Sequence, residues 1–271
     1  MSDRPRFTVL MPVYRGDTAD RFTRAAASVY ENSLPPDACC LVVDGPVPPV
    51  LDRAIATFAE RHHPLVIRLP ERSGIARALN AGLREIRTEW VVRSDADDYN
   101  LPDRFALQNA AMTTEVDIVG GVIREVDERG TMTGLRAPPL DHAAILRYAR
   151  TRSPFNHMAV AFRRDLAEAC GFYPLLPHAE DYGLWAAMLA RGARCRNLPD
   201  ILVEANAGMA MYRRRGGWDK LSAEILLQHH LVRHGLKAPF AGAAQGVGRA
   251  AFSLAPSRLR GWIYERFLRT R

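Results

Sequence analysis

Two acidic clusters hold the residues whose types and spacing could do chemistry. The first lies in Glu89–Phe105, E-W-V-V-R-S-D-A-D-D-Y-N-L-P-D-R-F, where Asp95 and Asp97 form a D-x-D motif followed at once by Asp98. In extended chain, residues two apart face the same side, so both carboxylates can address one cation or one ligand. Carboxylates packed this closely repel unless a cation, an arginine or water relieves them, and Arg93 is one candidate for that relief. Acidic turns between a strand and a helix are also common without any such duty. The second cluster is Glu180-Asp181, which opens E-D-Y-G-L-W-A-A-M-L-A-R. Leu184, Trp185, Met188 and Leu189 follow at helical spacing, and acids at a helix start are favoured by the macrodipole with or without a catalytic role. Outside these clusters stand His157, in S-P-F-N-H-M, and the run Arg213-Arg214-Arg215-Gly216-Gly217-Trp218. A lone histidine is a ligand or a hydrogen-bonded structural residue. An arginine run is a phosphate-binding fork or a solvated turn.

The elements around these residues read as an α/β chain. Trp90, Val91 and Val92 are strand formers, and the polar burst after them cannot continue into a core. Asn100 stands where an N-cap belongs, with Asp103 three residues on and Pro102 tolerated in a first turn. Upstream, Phe7 to Met11 is an apolar strand closed by Pro12-Val13-Tyr14-Arg15-Gly16, and Phe22, Ala25, Ala26 and Val29 recur at helical spacing. Cys39 to Val43 is a second strand ending at Asp44, Val50 to Glu60 a helix, and Leu65 to Leu69 a third strand. Ser73 can cap a helix whose stripe is Ile75, Leu79, Leu83 and Ile86. Such alternation predicts right-handed βαβ units and a mainly parallel central sheet flanked by helices. Tyr14, Asp44 and Asp95/Asp97 then meet at the strands' carboxyl ends, where open α/β sheets bind ligands.

Further on, Ile118 to Ile123 is a strand in which Gly120-Gly121 permits a bulge, a close approach, or mere sheet packing. Leu135 to Pro139 reads as a loop, and Asp141 as the cap of a short helix through Tyr148. Lys220 to His234 reads as a helix with Leu221, Ile225 and Val232 on its apolar side. Near the C-terminus Leu259, Trp262, Ile263 and Phe267 share a helical face flanked by Arg258, Arg260, Arg266 and Arg269. That pattern fits an interfacial helix at an anionic leaflet, or one packed on the body or on a second subunit.

The 271 residues suit one large domain, or one with an appendage, and the composition is that of a soluble globular protein. A net charge of +7 comes almost wholly from arginine, Lys220 and Lys237 being the only lysines, and suits anionic partners such as nucleotide diphosphates or an acidic membrane surface. Cys39, Cys40, Cys170 and Cys195 show no C-x-x-C spacing and read as buried thiols in a reducing compartment. The charged stretch Met1 to Arg6 leads straight into the first strand, so no secretory signal peptide is expected, and no run of about 20 apolar residues offers a bilayer span. The expected location is cytoplasmic, at or near the inner face of the plasma membrane.

The ordered succession T-V-L-M-P-V-Y-R-G, L-V-V-D-G-P, R-S-G-I-A-R-A-L-N-A-G-L, R-S-D-A-D-D-Y-N-L-P-D-R-F, V-G-G, P-F-N-H-M and E-D-Y-G-L-W resembles the family 2 glycosyltransferases, over roughly Phe7 to Trp218. The subgroup it is most similar to builds bacterial exopolysaccharide, capsule or lipopolysaccharide. The resemblance implies a GT-A fold, a nucleotide-diphosphate sugar donor (UDP- or dTDP-sugar), Mn²⁺ or Mg²⁺, and inversion at the anomeric carbon. By the same resemblance Pro12, Val13 and Tyr14 line the nucleotide pocket, Asp44 accepts from the base, and Arg72 and Gly74 lie by the nucleotide. Asp95 and Ala96 are then near the ribose or donor sugar, with Asp97, and Asp95 beside it, at the metal. Asp181 becomes the general base with Glu180 orienting the acceptor, and His157, Arg213, Arg214 and Arg215 face acceptor or phosphate. Arg15 departs from the family pattern, where many relatives carry Asn.

The expected organisation is a GT-A domain over residues 1–218 and a C-terminal helical appendage over 219–271, contacting the membrane peripherally. The expected acceptor is a saccharide or a polyprenyl-linked saccharide, with no nucleic-acid partner. Two rivals stand beside this reading. A sugar-phosphate nucleotidyltransferase needs a glycine-rich basic loop near the N-terminus, and none is present. A non-catalytic polyanion-binding protein has no need of Asp95, Asp97 and Asp181 together.

Overall fold

A computed structural model describes residues 4–127, 129–206 and 218–238. Three successive βαβ units open it: β1 (Phe7–Tyr14), α1 (Ala19–Tyr30), β2 (Ala38–Asp44), α2 (Pro49–His62), β3 (Leu65–Arg68), α3 (Ile75–Glu85) and β4 (Trp90–Arg93). β1 pairs in parallel with β2 on one side and β4 on the other, and β3 lies beyond β2. Period-2 alternation divides the apolar residues between two cores. Phe7, Val9, Met11, Val13, Cys39, Leu41, Val43, Trp90 and Val92 face α1, α2 and α4. Leu10, Cys40, Val42 and Val91 face α3 and α7 on the other side.

β1 runs further than the sequence predicts. Pro12, Val13 and Tyr14 continue it, in register with Val42, Val43 and Asp44, so these residues belong to the sheet and not to a closing loop. The residues Tyr14 and Asp44 therefore stand side by side at one sheet edge.

Past the D-x-D segment come β5 (Tyr99–Asn100), α4 (Arg104–Ala111), β6 (Ile118–Val126), β7 (Met132–Arg136), α5 (His142–Tyr148), a 3₁₀ turn (His157–Ala159), β8 (Ala161–Arg163), α6 (Arg164–Ala169), α7 (Glu180–Ala190), β9 (Cys195–Asn206) and α8 (Trp218–Arg233). The strand order is β3-β2-β1-β4-β8-β6-β9-β5, with β7 added on β6. The first four strands are parallel as predicted, and the second half adds antiparallel pairings at β4–β8, β8–β6, β6–β7 and β9–β5. The whole sheet is mixed.

Two local expectations are corrected, and the alternatives open at Gly120-Gly121 are decided. Leu135 and Arg136 lie in β7 rather than in a loop. Gly120 and Gly121 serve the sheet: a Cβ on Gly120 would sit 2.0 Å from Asn197 Oδ1, one on Gly121 2.3 Å from Leu202, and the β6–β9 register shifts just after Gly121. In α8 the buried face is Ala223, Leu227 and Leu231, against Ala179, Tyr182 and Ala186 near α7, while Ile225 is exposed and Val232 half-buried. The i, i+4, i+8 stripe matches α7, which the apolar count of the sequence alone did not single out. Asp141 caps α5 as predicted, its carboxylate accepting from Ala144 N at 2.8 Å. Arg213, Arg214, Arg215 and the helix carrying Leu259, Trp262, Ile263 and Phe267 lie outside the described residues.

Candidate active site

The acidic motif follows β4, but not in the extended form that would put Asp95 and Asp97 on one side. The chain turns at Ala96–Asp97, and the three carboxylates separate. Asp95 accepts from Arg93 Nη2 at 2.5 Å. Asp98 is buried and accepts from the backbone N–H of Asn206, at the end of β9, at 2.8 Å. Asp97 is half-buried between them, and Ala96 is packed into the core.

A fourth carboxylate, Asp17, reaches the same place from the loop after β1, where it accepts from Tyr14 N at 2.9 Å. Sequence reading passed over it, because its proximity comes from the β1–β4 pairing that sets Leu10 opposite Arg93. Burial pushes the Asp17 carboxyl up to about 7, and the charges of Asp97 and Asp95 push the same way. Burial and Asp95 likewise raise Asp97 to about 6. Burial, then Asp95 and Asp97, hold Asp98 well above the usual range. Each of these carboxyls is opposed by the positive charge of Arg93.

Arg93 is 1 % exposed, and among the described residues its Nε and Nη1 have no hydrogen-bond partner. Burial alone would lower the pKa of its guanidinium, but contact with Asp95 outweighs that and the group stays charged. Its backbone is held from below: Arg104 Nη2 donates to the Arg93 carbonyl at 2.6 Å and Arg104 Nε to Gln108 Oε1 at 3.1 Å, while Nη1 donates to Asn100 Oδ1. Asn100 is therefore not the N-cap the sequence predicts. It sits in β5, donating through Nδ2 to Ser28 Oγ at 2.8 Å, and α4 starts only at Arg104, with Asp103 at its N-cap and no side-chain cap. Gln108 Nε2 spans to the carbonyls of Val119 and Ala159 at 3.0 and 3.2 Å, tying the same network to β6 and the 3₁₀ turn.

Beside this turn, at the ends of β1 and β2, lies a second cluster. Asp44 accepts from Ser73 N at 2.6 Å and from Gly74 N at 3.0 Å, so its carboxylate fastens the loop before α3. Ser73 consequently spends its N–H on Asp44, and Gly74, at φ +88°, is the N-cap of α3 in place of the predicted Ser73. Gly45 permits the closure, since its φ is +80° and a Cβ there would meet Arg72 N at 2.6 Å. The Arg72 guanidinium lies over the Tyr14 ring, 5.6 Å from its centre. Tyr14, Asp44, Arg72 and Gly74 are thus brought together. Val13 and Pro12 are buried in the sheet, which leaves only backbone atoms of these two for any ligand.

The third cluster is the start of α7. Asp181 is half-buried; burial raises its carboxyl, while hydrogen bonds from Tyr182 N and the Ser153 hydroxyl, together with the charge of Arg93, act against the rise. Burial and then Asp181 push Glu180 up to about 7. His157 Nε2 is 2.9 Å from Tyr173 Oη, and its ring packs edge-on to Trp185. Burial, followed by Arg93, drives its pKa well below the usual histidine value, so the ring is neutral and one nitrogen is committed to Tyr173.

Next to Asp97 a cavity of about 180 Å³ is lined by Arg21, Arg24, Asp98, Tyr99 and Asn206 among others. Among the described residues no group of three or more His, Cys, Asp or Glu converges to hold a metal ion. The chemistry of the donor set is nonetheless that of a hard cation: Asp97 offers carboxylate oxygen, crowded by Asp17, Asp95 and Asp98, at a rim where a ligand's oxygens would supply the remaining positions. Arrangement and charge allow three operations here, namely holding a nucleotide against Tyr14 and Arg72, neutralising an anion near Asp97, and accepting a proton at Asp181.

Comparison with known proteins gives three kinds of match. The family model described as Glycosyl transferase family 2 matches residues 8–171. The amylovoran biosynthesis glycosyltransferase AmsE of Erwinia amylovora is 34% identical over 263 residues, 96% of this chain and 98% of AmsE. The UDP-Gal:alpha-D-GlcNAc-diphosphoundecaprenol beta-1,3-galactosyltransferase of Escherichia coli is 31% identical over 269 residues, 98% of each chain. Among solved structures, S. aureus TarS matches with a TM-score of 0.65 at 18% identity over 97% of this chain, which spans about half (46%) of TarS. The mannosyltransferase PcManGT of Pyrobaculum calidifontis, in complex with GDP-Man and Mn²⁺, matches with a TM-score of 0.60 at 23% identity, over 96% of this chain and 83% of that one.

Proposed function

Because the chain belongs to glycosyl transferase family 2 and has the GT-A fold, we propose that it is an inverting, metal-dependent glycosyltransferase that moves a sugar from a nucleoside-diphosphate sugar to a saccharide hydroxyl. The observation that carries this reading is that one buried cation, Arg93, is bonded to Asp95 in the acidic turn after β4 while its charge also acts on the carboxylates at the start of α7. Donor and acceptor chemistry need those two groups on either side of one reacting carbon.

In this reading the base and ribose lie against Tyr14, Arg72 and Gly74, with Asp44 shaping the loop and Asp95 meeting the ribose or the donor sugar. Asp97 would hold Mg²⁺ or Mn²⁺, whose charge offsets that of the diphosphate as the bond to the sugar breaks. Asp181 takes the proton of the acceptor hydroxyl while that oxygen attacks the anomeric carbon from the face opposite the diphosphate. Glu180 orients the acceptor. The names of the Erwinia amylovora and Escherichia coli relatives support a role in surface polysaccharide or lipid-linked saccharide assembly, and the Escherichia coli name supports a UDP-sugar donor, beside the dTDP-sugar alternative, and a polyprenyl-linked acceptor. The GDP-Man and Mn²⁺ bound to the archaeal mannosyltransferase support a nucleotide-sugar donor and a divalent ion. No helix among the described residues is long and apolar enough to cross a membrane, and the basic C-terminal segment is the part assigned to peripheral contact.

The deciding experiment is calorimetric binding of UDP, dTDP, GDP and their sugar conjugates to wild-type protein and Asp97→Ala, with and without Mn²⁺. Metal-dependent binding of one nucleotide class, lost in the variant, is the expected result; no binding under any metal condition overturns the reading.

A further inference from the structure

Arg93 breaks the rule that buried polar groups find partners. At 1 % exposure it keeps one side-chain hydrogen bond, to Asp95 at 2.5 Å, and leaves Nε and Nη1 without a partner among the described residues. An arginine fork usually spends several of its five N–H groups when it is buried. The strand before it, Trp90, Val91 and Val92, is wholly apolar, so the charge enters the sheet only at its end, where Asp95 and the neighbouring acids lie. The fold nevertheless fixes the residue firmly, since Arg104 clamps its carbonyl at 2.6 Å and the Val160 carbonyl, just before β8, accepts its backbone N–H at 2.9 Å. Departures of this kind, rigidly supported and locally unfavourable, concentrate at functional sites.

We propose that Arg93 is a positioning residue for donor binding, acting through Asp95: its guanidinium holds the Asp95 carboxylate in the orientation that receives the nucleotide sugar, on a base made rigid by Arg104. The inference rests on the glycosyltransferase reading of the site. Because Asp95 is half-buried, with its side chain 27% exposed, while Arg93 is enclosed, the carboxylate presents its remaining lone pairs outward and the arginine fixes it from behind. Aspartate freed from this contact would turn away from Asp97 toward solvent, leaving an unrelieved negative charge where a diphosphate has to approach. Lysine cannot take over fully, because a point charge on a flexible stem holds one carboxylate oxygen less directionally than a planar fork.

The test is a double-mutant cycle read by calorimetric binding of UDP, dTDP and GDP in Mn²⁺, on Arg93→Met, Asp95→Asn and the pair together, with donor KM and kcat measured on the same proteins. If Arg93 works through Asp95, each single variant weakens binding about tenfold or more and the double variant binds no more weakly than Arg93→Met alone. Donor KM rises more than kcat falls, and Arg93→Lys lands between wild type and Arg93→Met. Losses that multiply in the double variant overturn the proposal, as does a folded Arg93→Met that binds like wild type. Should Arg93→Met not fold, the same cycle run with Arg93→Lys decides the question by the same criterion. Wild-type protein that binds no nucleotide removes the glycosyltransferase reading and this proposal together, whereas wild-type binding with multiplicative losses removes this proposal alone.

Discussion

Arg93 Nη2 lies 2.5 Å from Asp95 Oδ1, two residues further along the chain, and that contact joins an enclosed cation at the end of β4 to the acids around it. The same guanidinium opposes the charge of Asp17, Asp97, Asp98, Glu180 and Asp181, so acids from the loop after β1, the turn after β4 and the start of α7 share one counter-charge.

Replacing Asp181 by Asn removes the proton acceptor and leaves the nucleotide cluster untouched. The expected outcome is a fall in kcat of about 10³-fold with nucleotide affinity within about twofold of wild type. Steady-state transfer assays beside calorimetry measure both. Near-normal turnover would take the general-base role away from Asp181. The acid limb of the wild-type rate profile should lie above the ordinary aspartate value of 3.8, since burial raises this carboxyl and the base works only when ionised.

Asp44→Ala should act on affinity and not on the chemical step. Its two carboxylate oxygens hold Ser73 N and Gly74 N, so the variant frees the loop that carries Arg72 over Tyr14. Nucleotide affinity is expected to fall by about tenfold with kcat at saturating donor nearly unchanged. A loss confined to kcat would contradict this.

Stability of the metal-free protein should fall as pH rises. Asp17 and Glu180 hold their protons up to about 7 in the folded chain, whereas unfolded carboxyls release theirs near their ordinary values of 3.8 and 4.5. Between those limits the folded state binds more protons, so unfolding becomes easier as pH climbs through the window. Melting temperatures across that range should show a decline that Asp17→Asn and Glu180→Gln each flatten. A wild-type curve no steeper than that of either variant would count against these raised carboxyls.

Arg104→Met should cost stability. It leaves the Arg93 carbonyl and Gln108 Oε1 without the Arg104 donor and Asn100 Oδ1 with only the Ser94 hydroxyl at 3.3 Å, and unsatisfied buried acceptors cost about 1–3 kcal/mol each, partly offset by removing a buried charge. A net loss of about 2 kcal/mol or more in denaturant unfolding is expected. An unchanged midpoint would show the network to be dispensable.

The first half of the molecule was legible because apolar runs of four to eight residues alternate with helical stripes, the mark of parallel βαβ units, even though β4 pairs with β1 rather than with β3. The second half was less so. β5 and β8 are two and three residues long, and their partners are set by contacts distant in sequence rather than by any local pattern. Within the site, carboxylates and their order along the chain could be read, but the parity argument for Asp95 and Asp97 fails because the chain turns between them. Asn100 looked like a cap because asparagine commonly caps helices; burial beside Ser28 and Arg104 gave it a different use. Asp17 and Arg21 carry no motif of their own and enter only through the three-dimensional pairing.

The insertion of β8 between β4 and β6 has a consequence for synthesis of the chain. β1 to β4 can assemble as soon as residue 93 is available, β2 beside β1, β3 beside β2, and β4 returning to the other side of β1. β4 then presents the bare edge Trp90-Val91-Val92 until Ala161–Arg163 arrives nearly seventy residues later to cover it, by the register of the β4–β8 pairing. During that interval the nascent protein carries an apolar, unpaired strand next to the acidic turn, the arrangement most prone to intermolecular strand pairing. Fragments ending before residue 161 should therefore aggregate, and slow translation between residues 93 and 161 should lower the yield of soluble enzyme.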